Sequence, residues 1–160
     1  MSELRIGIGF DAHGLSAEAA LVLGGVELPG EQGLLGHSDG DVLAHALVDA
    51  LLGAAGLGDI GSFFPSSEAE WEGASSLLFL ERAMAAVRDA GYELMNADCV
   101  LIGERPRISP VRAEMEGRLA GALGVDAGRV SVRATTTDGL GFTGRGEGLA
   151  AQAVALLERS

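Results

Sequence analysis

Alternation of apolar and polar residues along the chain predicts several β-strands. Residues 5–10 and 129–134 alternate, and residues 97–102 are mostly apolar, as in a buried strand. Residues 21–28 are apolar around Gly24-Gly25 and predict a short hairpin, followed by a loop over residues 29–36. The glycines at positions 7 and 9 indicate that another backbone or a ligand approaches the first strand closely.

Helical spacing of apolar residues predicts helices between these strands. The first predicted helix has Ser38 or Asp39 as its N-cap and stops at Gly56. A second is predicted from residue 75 or 76 to residue 91. The sequence therefore predicts a fold that mixes helices and strands.

The rest of the chain contains one clear helix start and two segments whose structure the sequence leaves open. Ser109 as N-cap and Pro110 at the first helical position predict a helix that ends at Gly124. Residues 58–68 are either a surface connection or a lid. Residues 149–157 fit a helix, but their apolar side chains also alternate, so both structures remain open.

The first predicted helix carries polar residues that a packed core does not need. Asp41, His45 and Asp49 are spaced four residues apart and fall on one helix face. A histidine with a carboxylate one turn away on either side is a common arrangement for an imidazole that binds a metal. The alternative is a core histidine satisfied by a neighbouring aspartate, and the helix alone does not decide between the two.

A second acid and histidine pair, Asp11 and His13, lies at the end of the first predicted strand. Residues two apart on an extended chain point the same way. Together with His45 they make three ligands of the types that zinc prefers, with a fourth tetrahedral position left open. An open position is typical of a catalytic or substrate-binding metal, so the sequence predicts a metal site of that kind.

A third polar segment follows the last predicted strand before residue 149. Thr135, Thr136 and Thr137 precede a glycine-rich turn, and together they offer hydroxyls and backbone N–H groups to phosphate oxygens. Asp138 beside them is suited to a hard divalent cation such as magnesium. Glycine-rich loops are common, so this segment alone does not establish phosphate binding.

Composition narrows the class of protein. A chain of 160 residues fits a single domain, residues 1–160, and a net charge of −12 disfavours nucleic acid as a partner. The single cysteine, Cys99, excludes an internal disulfide and fits a reducing compartment. The sequence has no recognisable export signal or membrane-spanning run, so we expect no membrane association and a cytoplasmic location.

Five groups of motifs occur in one order along the chain. They are Arg5-Ile6-Gly7-x-Gly9-Phe10-Asp11-x-His13; Leu23-Gly24-Gly25-Val26; Gly36-His37-Ser38-Asp39-Gly40-Asp41 with His45; Leu57-Gly58-Asp59-Ile60-Gly61 with Phe64-Pro65; and Ala134-Thr135-Thr136-Thr137 with Leu140-Gly141-Phe142-Thr143-Gly144-Arg145-Gly146-Glu147-Gly148. With these motifs the chain resembles the 2-C-methyl-D-erythritol 2,4-cyclodiphosphate synthases of the non-mevalonate isoprenoid pathway. The resemblance covers nearly the whole chain.

The resemblance implies an α/β fold, an α+β sandwich in which a mixed four-stranded sheet carries helices on one side. It implies that residues 149–157 are a strand, and that the chain forms a homotrimer with active sites at the subunit interfaces. The implied reaction converts 4-diphosphocytidyl-2-C-methyl-D-erythritol 2-phosphate to 2-C-methyl-D-erythritol 2,4-cyclodiphosphate and CMP. It is an intramolecular phosphoryl transfer that needs no outside nucleophile.

The resemblance also implies roles for individual residues. Asp11, His13 and His45 would bind zinc, and Asp138 a second divalent cation, Mg²⁺ or Mn²⁺, while His37 and Thr136 would stabilise the transition state. The implied substrate-binding residues are Asp11, His13, His37, Ser38, Asp59, Ile60, Gly61, Phe64, Glu68, Gly103, Arg107, Ile108, Thr135, Thr136, Thr137, Asp138, Phe142 and Arg145. Residues 103–109 would wrap the cytosine, and Phe142 and Arg145 would line a central trimer cavity.

The chain departs from the family pattern at several positions. Ile8 stands where a histidine is common, and Ser66 and Glu68 replace the usual aspartates after Phe-Pro. Asp138 replaces a glutamate, which shortens the reach to a second cation, and Gln152 replaces an acid found in some members.

Two other functions compete with the synthase. One is a non-catalytic trimeric protein that binds isoprenoid diphosphates in a cavity lined by Phe142 and Arg145. The other is a zinc hydrolase with Asp39 or Asp41 as its general base. The intact zinc ligands and threonine segment favour the enzyme, because a binding module does not need a metal site with an open position.

Overall fold

The computed structural model describes residues 2–65 and 67–160, which contain seven strands and five α-helices. The strands are β1 (Leu4–Ser16), β2 (Val22–Leu23), β3 (Val26–Glu27), β4 (Gly33–Leu34), β5 (Tyr92–Ile102), β6 (Val130–Thr135) and β7 (Gly148–Arg159). The α-helices are α1 (Val42–Ala55), α2 (Ile60–Phe63), α3 (Ser76–Asp89), α4 (Arg112–Leu123) and α5 (Gly141–Gly144). Short 3₁₀ helices cover Ala69–Trp71 and Ala127–Arg129.

Five strands form one mixed sheet in the order β4-β1-β7-β5-β6. β5 and β6 are parallel, and the other neighbours are antiparallel. The prediction of a mixed sheet is confirmed, but that of four strands is wrong. The fifth strand, β4, lies inside the predicted loop and pairs with β1 at two positions, Leu34 with Leu15 and Gly33 with Ser16. Two residues are too few to show an alternating pattern in the sequence.

The ambiguous segment at residues 149–157 is a strand, β7. It lies between β1 and β5 and pairs with both, so its backbone groups are satisfied by neighbouring strands. The odd-numbered side chains from Leu149 to Leu157 are all buried. The β2–β3 hairpin is confirmed as well, with Gly24 and Gly25 at positive φ, as a tight two-residue turn requires.

α1 packs directly on the sheet, against β1 and β7, while α3 packs against α1 and α4 against β6. The close approach indicated by the two strand glycines is confirmed. A Cβ added to Gly7 would collide with the backbone of α1 at Ala50, and one added to Gly9 would collide with it at Ala46. This contact holds the N-terminal half of α1 beside the end of β1.

The opposite face of β1 is bare in the single chain. Its even-numbered residues point away from α1, and Ile6, Ile8 and Phe10 are 73%, 64% and 55% exposed. Val154 of β7, which pairs with Ile8, is also exposed on this surface. An apolar patch of this kind on a strand face is typical of an interaction surface.

Two helix starts differ from the sequence prediction. The N-cap of α1 is Asp41, whose side chain accepts a hydrogen bond from the backbone N–H of Ala44 at 3.1 Å, so Ser38 and Asp39 lie outside the helix. α4 begins at Arg112, because a turn from Ile108 to Val111 separates the predicted start from the helix and leaves Ile108 in the core.

The other predicted helix boundaries are confirmed except the end of the second helix, which was predicted at residue 91, whereas α3 ends at Asp89 with Ala90 as its C-cap. Ser75 is the N-cap of α3, and Gly56 and Gly124 end α1 and α4 in the left-handed conformation. The open segment at residues 58–68 contains α2, capped by Asp59. Within the described residues, no helix has the length and apolar character needed to cross a membrane.

Candidate metal centre and its cavity

The predicted metal ligands converge at the end of β1. Asp11 and His13 point from the strand toward α1, where His45 occupies the second turn. The Nε2 atom of His13 lies 2.9 Å from Oδ2 of Asp11, and Nδ1 of His45 lies 3.1 Å from the same oxygen. The two ring nitrogens are 3.4 Å apart.

These three atoms fit the needs of one metal ion. Ligands of a tetrahedral zinc ion lie about 2.0–2.1 Å from the metal and therefore roughly 3.3 Å from one another. The observed separations of 2.9, 3.1 and 3.4 Å require only small adjustments. One carboxylate and two imidazoles are also a common zinc donor set, so Asp11, His13 and His45 could hold a metal ion.

The close contacts between the carboxylate and the two imidazoles affect the pKa values of Asp11 and His13. Burial by itself raises the pKa of Asp11, but the hydrogen bond from His13, the close contact with His45 and charge attraction from both rings outweigh it, so the net pKa is below the ordinary value. The hydrogen bond to Asp11 raises the pKa of His13, although burial opposes that shift. A bound cation would take the place of the proton that His13 shares with Asp11.

The carboxylates one turn away from His45 do not orient it, so that part of the sequence interpretation is wrong. Both oxygens of Asp41 accept backbone N–H groups, from Gly24 at 2.9 Å and Gly25 at 2.8 Å, which ties the hairpin to α1. Asp49 accepts the N–H of Ile60 at 2.7 Å and positions α2. His45 is buried, as the core-histidine alternative expected, but the aspartate beside it comes from β1.

Hydroxyl groups face the other side of the His45 ring. Nε2 of His45 lies 3.0 Å from Oγ of Ser38 and 2.8 Å from Oγ of Ser76. Ser76 is fully buried at the start of α3. Sequence reasoning missed Ser76, because it is separated from His45 by 31 residues and no local motif links them.

A cavity of about 410 Å³ opens beside the three ligands. Seven of the implied substrate-binding residues line it: Asp11, His13, His37, Ser38, Ile60, Gly61 and Phe64. Its apolar wall is an aromatic cluster in which Phe64 stacks on Phe79 with ring centroids 4.5 Å apart, and Trp71 packs edge-on against Phe64 at 5.0 Å. Trp71 and Phe79 were not predicted, since aromatic residues in and near a helix are more often core.

Three implied residues with polar side chains lie at or beside the cavity: His37 lines it, while Asp59 and Glu68 are chain neighbours of the lining residues Ile60 and Ser67. His37 is exposed, with Nε2 3.4 Å from the carbonyl oxygen of Glu68. The carboxylate of Glu68 accepts the indole N–H of Trp71 at 3.0 Å, and Asp59 accepts the N–H of Ser62 at 2.9 Å while capping α2. The departure noted at Ser66 lies outside the described residues.

The remaining implied residues form a separate group at the ends of β5 and β6. A hydrogen bond of 3.1 Å from the N–H of Gly103 to the carbonyl of Thr135 joins the two segments, and Thr136 donates to Glu104. The backbone N–H of Asp138 donates to the Thr136 hydroxyl at 3.0 Å. Thr135, Thr136, Asp138 and Arg107 are exposed, as are Phe142 and Arg145, whereas Thr137 is half-buried and Ile108 is buried.

Within one chain this second group does not reach the cavity. Asp11 pairs with Ala151, Ala151 with Leu101, and Leu101 with Ala134, so β1 and β6 lie at the same level of the sheet. Three interstrand spacings of about 4.8 Å separate their backbones by roughly 14 Å. The implied site residues therefore fall into two half-sites, the metal half-site around Asp11, His13 and His45 and the threonine half-site around residues 103–108 and 135–138.

Fold and site together define a class: an α/β protein in which an aspartate and two histidines that could hold a metal ion lie at the edge of a ligand-sized cavity. The family is identified by the sequence match, because residues 4–158 fit the model of the YgbB family, and the chain belongs to that family.

Two similar relatives carry the same name. The chain is 55% identical over 154 residues to the 2-C-methyl-D-erythritol 2,4-cyclodiphosphate synthase of Moorella thermoacetica, a match that covers 96% of this chain and 94% of that one. It is 57% identical over 155 residues to the synthase of the same name from Aromatoleum aromaticum, covering 97% of this chain and 94% of the relative.

Solved structures agree in fold. The bifunctional IspDF of Campylobacter jejuni superposes with a TM-score of 0.96 at 41% identity; the match covers all of this chain but 43% of that longer one. IspF of Plasmodium falciparum, solved as a CDP complex, gives a TM-score of 0.87 at 32% identity over 100% of this chain and 99% of that one.

Proposed function

We propose that residues 1–160 act as one 2-C-methyl-D-erythritol 2,4-cyclodiphosphate synthase domain of the isoprenoid precursor pathway. The observation that carries this proposal is the convergence of Asp11, His13 and His45 beside a cavity, in a chain whose relatives bear that name over nearly its full length. We place the enzyme in the cytoplasm, as its composition suggests. The comparisons do not support the alternative of a protein that only binds isoprenoid diphosphates.

Asp11, His13 and His45 are the proposed zinc ligands. A bound zinc ion supplies positive charge to phosphate oxygens and so acts as a Lewis acid. The three side chains fix its position relative to the cavity, and the aromatic wall around Phe64 limits access of water from one side. Asp138 is the proposed ligand of a second divalent cation, Mg²⁺ or Mn²⁺, because its carboxylate is exposed beside the three threonines.

The proposed reaction forms one phosphorus–oxygen bond and breaks another. An oxygen of the substrate 2-phosphate attacks the β-phosphorus of the diphosphate, and the bond from that phosphorus to the CMP oxygen breaks. CMP leaves with the bonding electron pair, and the new bond closes the cyclic diphosphate. The protein therefore contributes mainly positioning and charge stabilisation.

His37 and Thr136 are the proposed catalytic residues. His37 stands exposed at the cavity rim, from where its ring can donate to a phosphate oxygen. The Thr136 hydroxyl is exposed and would exchange its bond to Glu104 for one to the substrate. Ser38, Asp59, Ile60, Gly61, Phe64 and Glu68 would contact the erythritol and ribose parts, and Gly103, Arg107 and Ile108 the cytosine.

We infer that a complete site needs two chains in a homotrimer. The roughly 14 Å between β1 and β6 keeps His37 and Thr136 apart within one chain, since side chains span only part of that distance. The bare face of β1, with Ile6, Ile8 and Phe10 exposed, is the proposed contact surface between copies. A neighbour seated there would bring its Thr135, Thr136, Thr137 and Asp138 to the metal half-site.

The direct test is turnover. Zinc-loaded protein with magnesium is incubated with 4-diphosphocytidyl-2-C-methyl-D-erythritol 2-phosphate, and CMP release is followed together with the ³¹P spectrum of the product. We expect CMP and a cyclic diphosphate in equal amounts. Binding of the substrate without release of CMP would overturn the proposal.

A mixing experiment tests the shared site. His45→Ala damages only the metal half-site and Thr136→Ala only the threonine half-site, so His45→Ala alone should be inactive and Thr136→Ala alone should keep about 1% of the rate or less. In trimers assembled from an equal mixture, about a quarter of the interfaces combine two intact half-sites, and that share of activity should return. Failure to recover activity in trimers shown to be mixed would place both half-sites in one chain.

The structure argues against the zinc hydrolase alternative. Asp41 is fully buried, and its oxygens accept three backbone N–H groups. Asp39 accepts the backbone N–H and the hydroxyl of Ser76. Neither carboxylate is available to take a proton from a water molecule in the cavity, which the hydrolase would require.

A further inference from the structure

The ring of His45 is held from the side opposite the ligand cluster by residues of α3. Oγ of Ser76 lies 2.8 Å from Nε2 of His45, and the side chain of Phe79, one turn further along α3, stacks on the ring with centroids 5.9 Å apart. Ser76 is completely buried. It belongs to none of the motifs that carry the family resemblance.

Behind Ser76 lies the carboxylate of Asp39. The Ser76 hydroxyl donates to Oδ1 of Asp39, and the Ser76 backbone N–H donates to Oδ2 at 2.9 Å. Asp39 is itself held by the backbone N–H of Asp41 at 3.1 Å. The groups form a chain of contacts from Asp39 through Ser76 to His45.

The direction of the hydrogen bonds between Asp39, Ser76 and His45 follows from their donor and acceptor groups. An ionised carboxylate only accepts hydrogen bonds, so the single hydroxyl proton of Ser76 is committed to Asp39. Oγ of Ser76 then faces Nε2 of His45 as an acceptor, and Nε2 must carry the ring proton. The other nitrogen, Nδ1, is left with its lone pair directed at the position between Asp11 and His13.

We propose that Ser76, anchored by Asp39, is a positioning residue that selects the Nε2–H tautomer of His45 and so keeps Nδ1 ready to bind the metal ion. This inference rests on the metal site of the proposed function but not on the reaction. In many metal sites a carboxylate contacts the ligating histidine directly. Here the buried Ser76 lies between the carboxylate of Asp39 and the ring of His45.

Two neighbouring groups compete for the same ring. Oδ2 of Asp11 lies 3.1 Å from Nδ1 and would attract a proton there, which would block metal binding until it is lost. Oγ of Ser38 lies 3.0 Å from Nε2, but Ser38 is half-buried at the cavity and has no bond to Asp39 that fixes its hydroxyl proton. Ser76 is therefore the group that decides between the two tautomers.

Metal affinity provides the first test, measured by competition for zinc with a chromophoric chelator. Ser76→Ala should weaken zinc binding about 10- to 100-fold, the range found when the outer partner of a ligating histidine is removed. Ser75→Ala is the matched control: it removes the N-cap of the same helix, one residue earlier, without touching His45. Ser38→Ala removes the other hydroxyl near Nε2. Both control variants should bind zinc with nearly the affinity of the unaltered chain.

The tautomer itself provides the second test and needs neither metal nor activity. Long-range ¹H–¹⁵N spectra of the metal-free protein distinguish the two ring tautomers, and a chain with three histidines is simple to assign. We expect Nε2–H at His45 in the unaltered chain and a shift of the proton toward Nδ1 in Ser76→Ala.

The proposal is overturned if the unaltered chain shows Nδ1–H at His45, a result that does not require the variant to fold. It is also overturned if Ser75→Ala weakens zinc binding as much as Ser76→Ala does. A protein that shows the expected tautomer and affinities but no turnover would retain this inference and reject the proposed function.

Discussion

The metal half-site and the threonine half-site differ in how completely one chain builds them. In the metal half-site, three ligand atoms lie within 3.4 Å of one another, and β1, α1 and α3 supply partners on every side of His45. In the threonine half-site, Thr135, Thr136 and Asp138 are exposed, and Thr136 bonds to Glu104 and the backbone of Asp138. The metal half-site is formed by folding of the single chain, whereas the threonine half-site would be completed by the proposed assembly.

The difference reflects the cost of burying polar groups. Charged side chains are buried only where hydrogen-bond partners surround them, and folding of the single chain provides those partners around Asp11. The residues of the threonine half-site are mostly exposed within their own chain, so water can solvate them. Single substitutions should therefore affect the proposed assembly, metal binding and turnover separately.

The largest expected effect comes from blocking assembly. Ile8→Arg puts a charge on the bare face of β1, and burying it unpaired in a contact between chains costs roughly 3–5 kcal/mol per copy. We expect a monomer in analytical ultracentrifugation that still binds one zinc ion but releases no CMP. Ala85→Arg, on the exposed side of α3, is the control and should leave the assembly unchanged. A trimeric Ile8→Arg protein would refute the proposed contact surface.

Removal of a ligand should break only the metal half-site. His45→Ala takes away one of three ligand atoms, so we expect loss of stoichiometric zinc and of turnover while the trimer persists. Metal content by atomic emission and mass by light scattering check the two parts separately. Retention of one zinc per chain would exclude His45 as a ligand.

Loss of the hydroxyl in the threonine half-site should affect chemistry alone. Thr136→Ala removes one proposed hydrogen bond to the transition state, an interaction whose loss typically lowers kcat by about 10²–10³. Zinc content should stay at one per chain. Thr136→Ser keeps the hydroxyl and is expected to recover most of the rate; an unchanged rate in Thr136→Ala would remove this residue from the mechanism.

The smallest effect is expected at Asp41, which supports the metal half-site without facing the cavity. Asp41→Asn leaves one of its three backbone N–H partners facing an amide donor, so we expect a loss of roughly 1–3 kcal/mol of unfolding free energy in urea titrations at pH 7. Zinc stoichiometry should not change.

The pH dependence of the same variant gives a second readout. Burial, with a contribution from Asp39, raises the pKa of Asp41 to about 6. A carboxyl whose folded pKa exceeds its unfolded value binds its proton preferentially in the native state, so its contribution to stability falls as pH rises from about 4 to about 6. An asparagine at position 41 does not titrate, so its contribution to stability does not change over this pH range. The difference in unfolding free energy between the unaltered chain and Asp41→Asn should therefore widen as pH is lowered through that range. A difference that stays constant would contradict the raised pKa of Asp41.

Residue types and spacing sufficed to predict Asp11, His13 and His45 as one cluster, because few other roles use those side chains at those positions. They also predicted the hairpin and the ends of α1 and α4, where glycine conformations are specific. Sequence could not predict how the partners of His45 are arranged, since Asp41 and Asp49 have the right spacing but bond to Gly24, Gly25 and Ile60 instead. Helical spacing identifies a shared face and not the side-chain direction on that face.

Contacts between distant segments were beyond sequence reasoning for a similar reason. Ser76 reaches His45 only because α3 packs on α1. Trp71 and Phe79 line the cavity together because the 3₁₀ helix Ala69–Trp71 and α3 bring their rings into contact with each other and with Phe64. β4 was not predicted, because a strand with two residue pairs is too short to show an alternating hydrophobic pattern. The assignment of residues 149–157 as a strand came from the family resemblance, and the pairing with β1 and β5 gives its physical reason.

Gly7 and Gly9 let the backbone of α1 lie directly against the backbone of β1 near Ala50 and Ala46. The separation of Asp11 from His45 is thus determined by two main chains, which move less than side-chain rotamers do. A site held in this way is assembled before its ion arrives. Zinc uptake by the folded chain should then be a single bimolecular capture step, with a rate proportional to free zinc and no slow conformational phase.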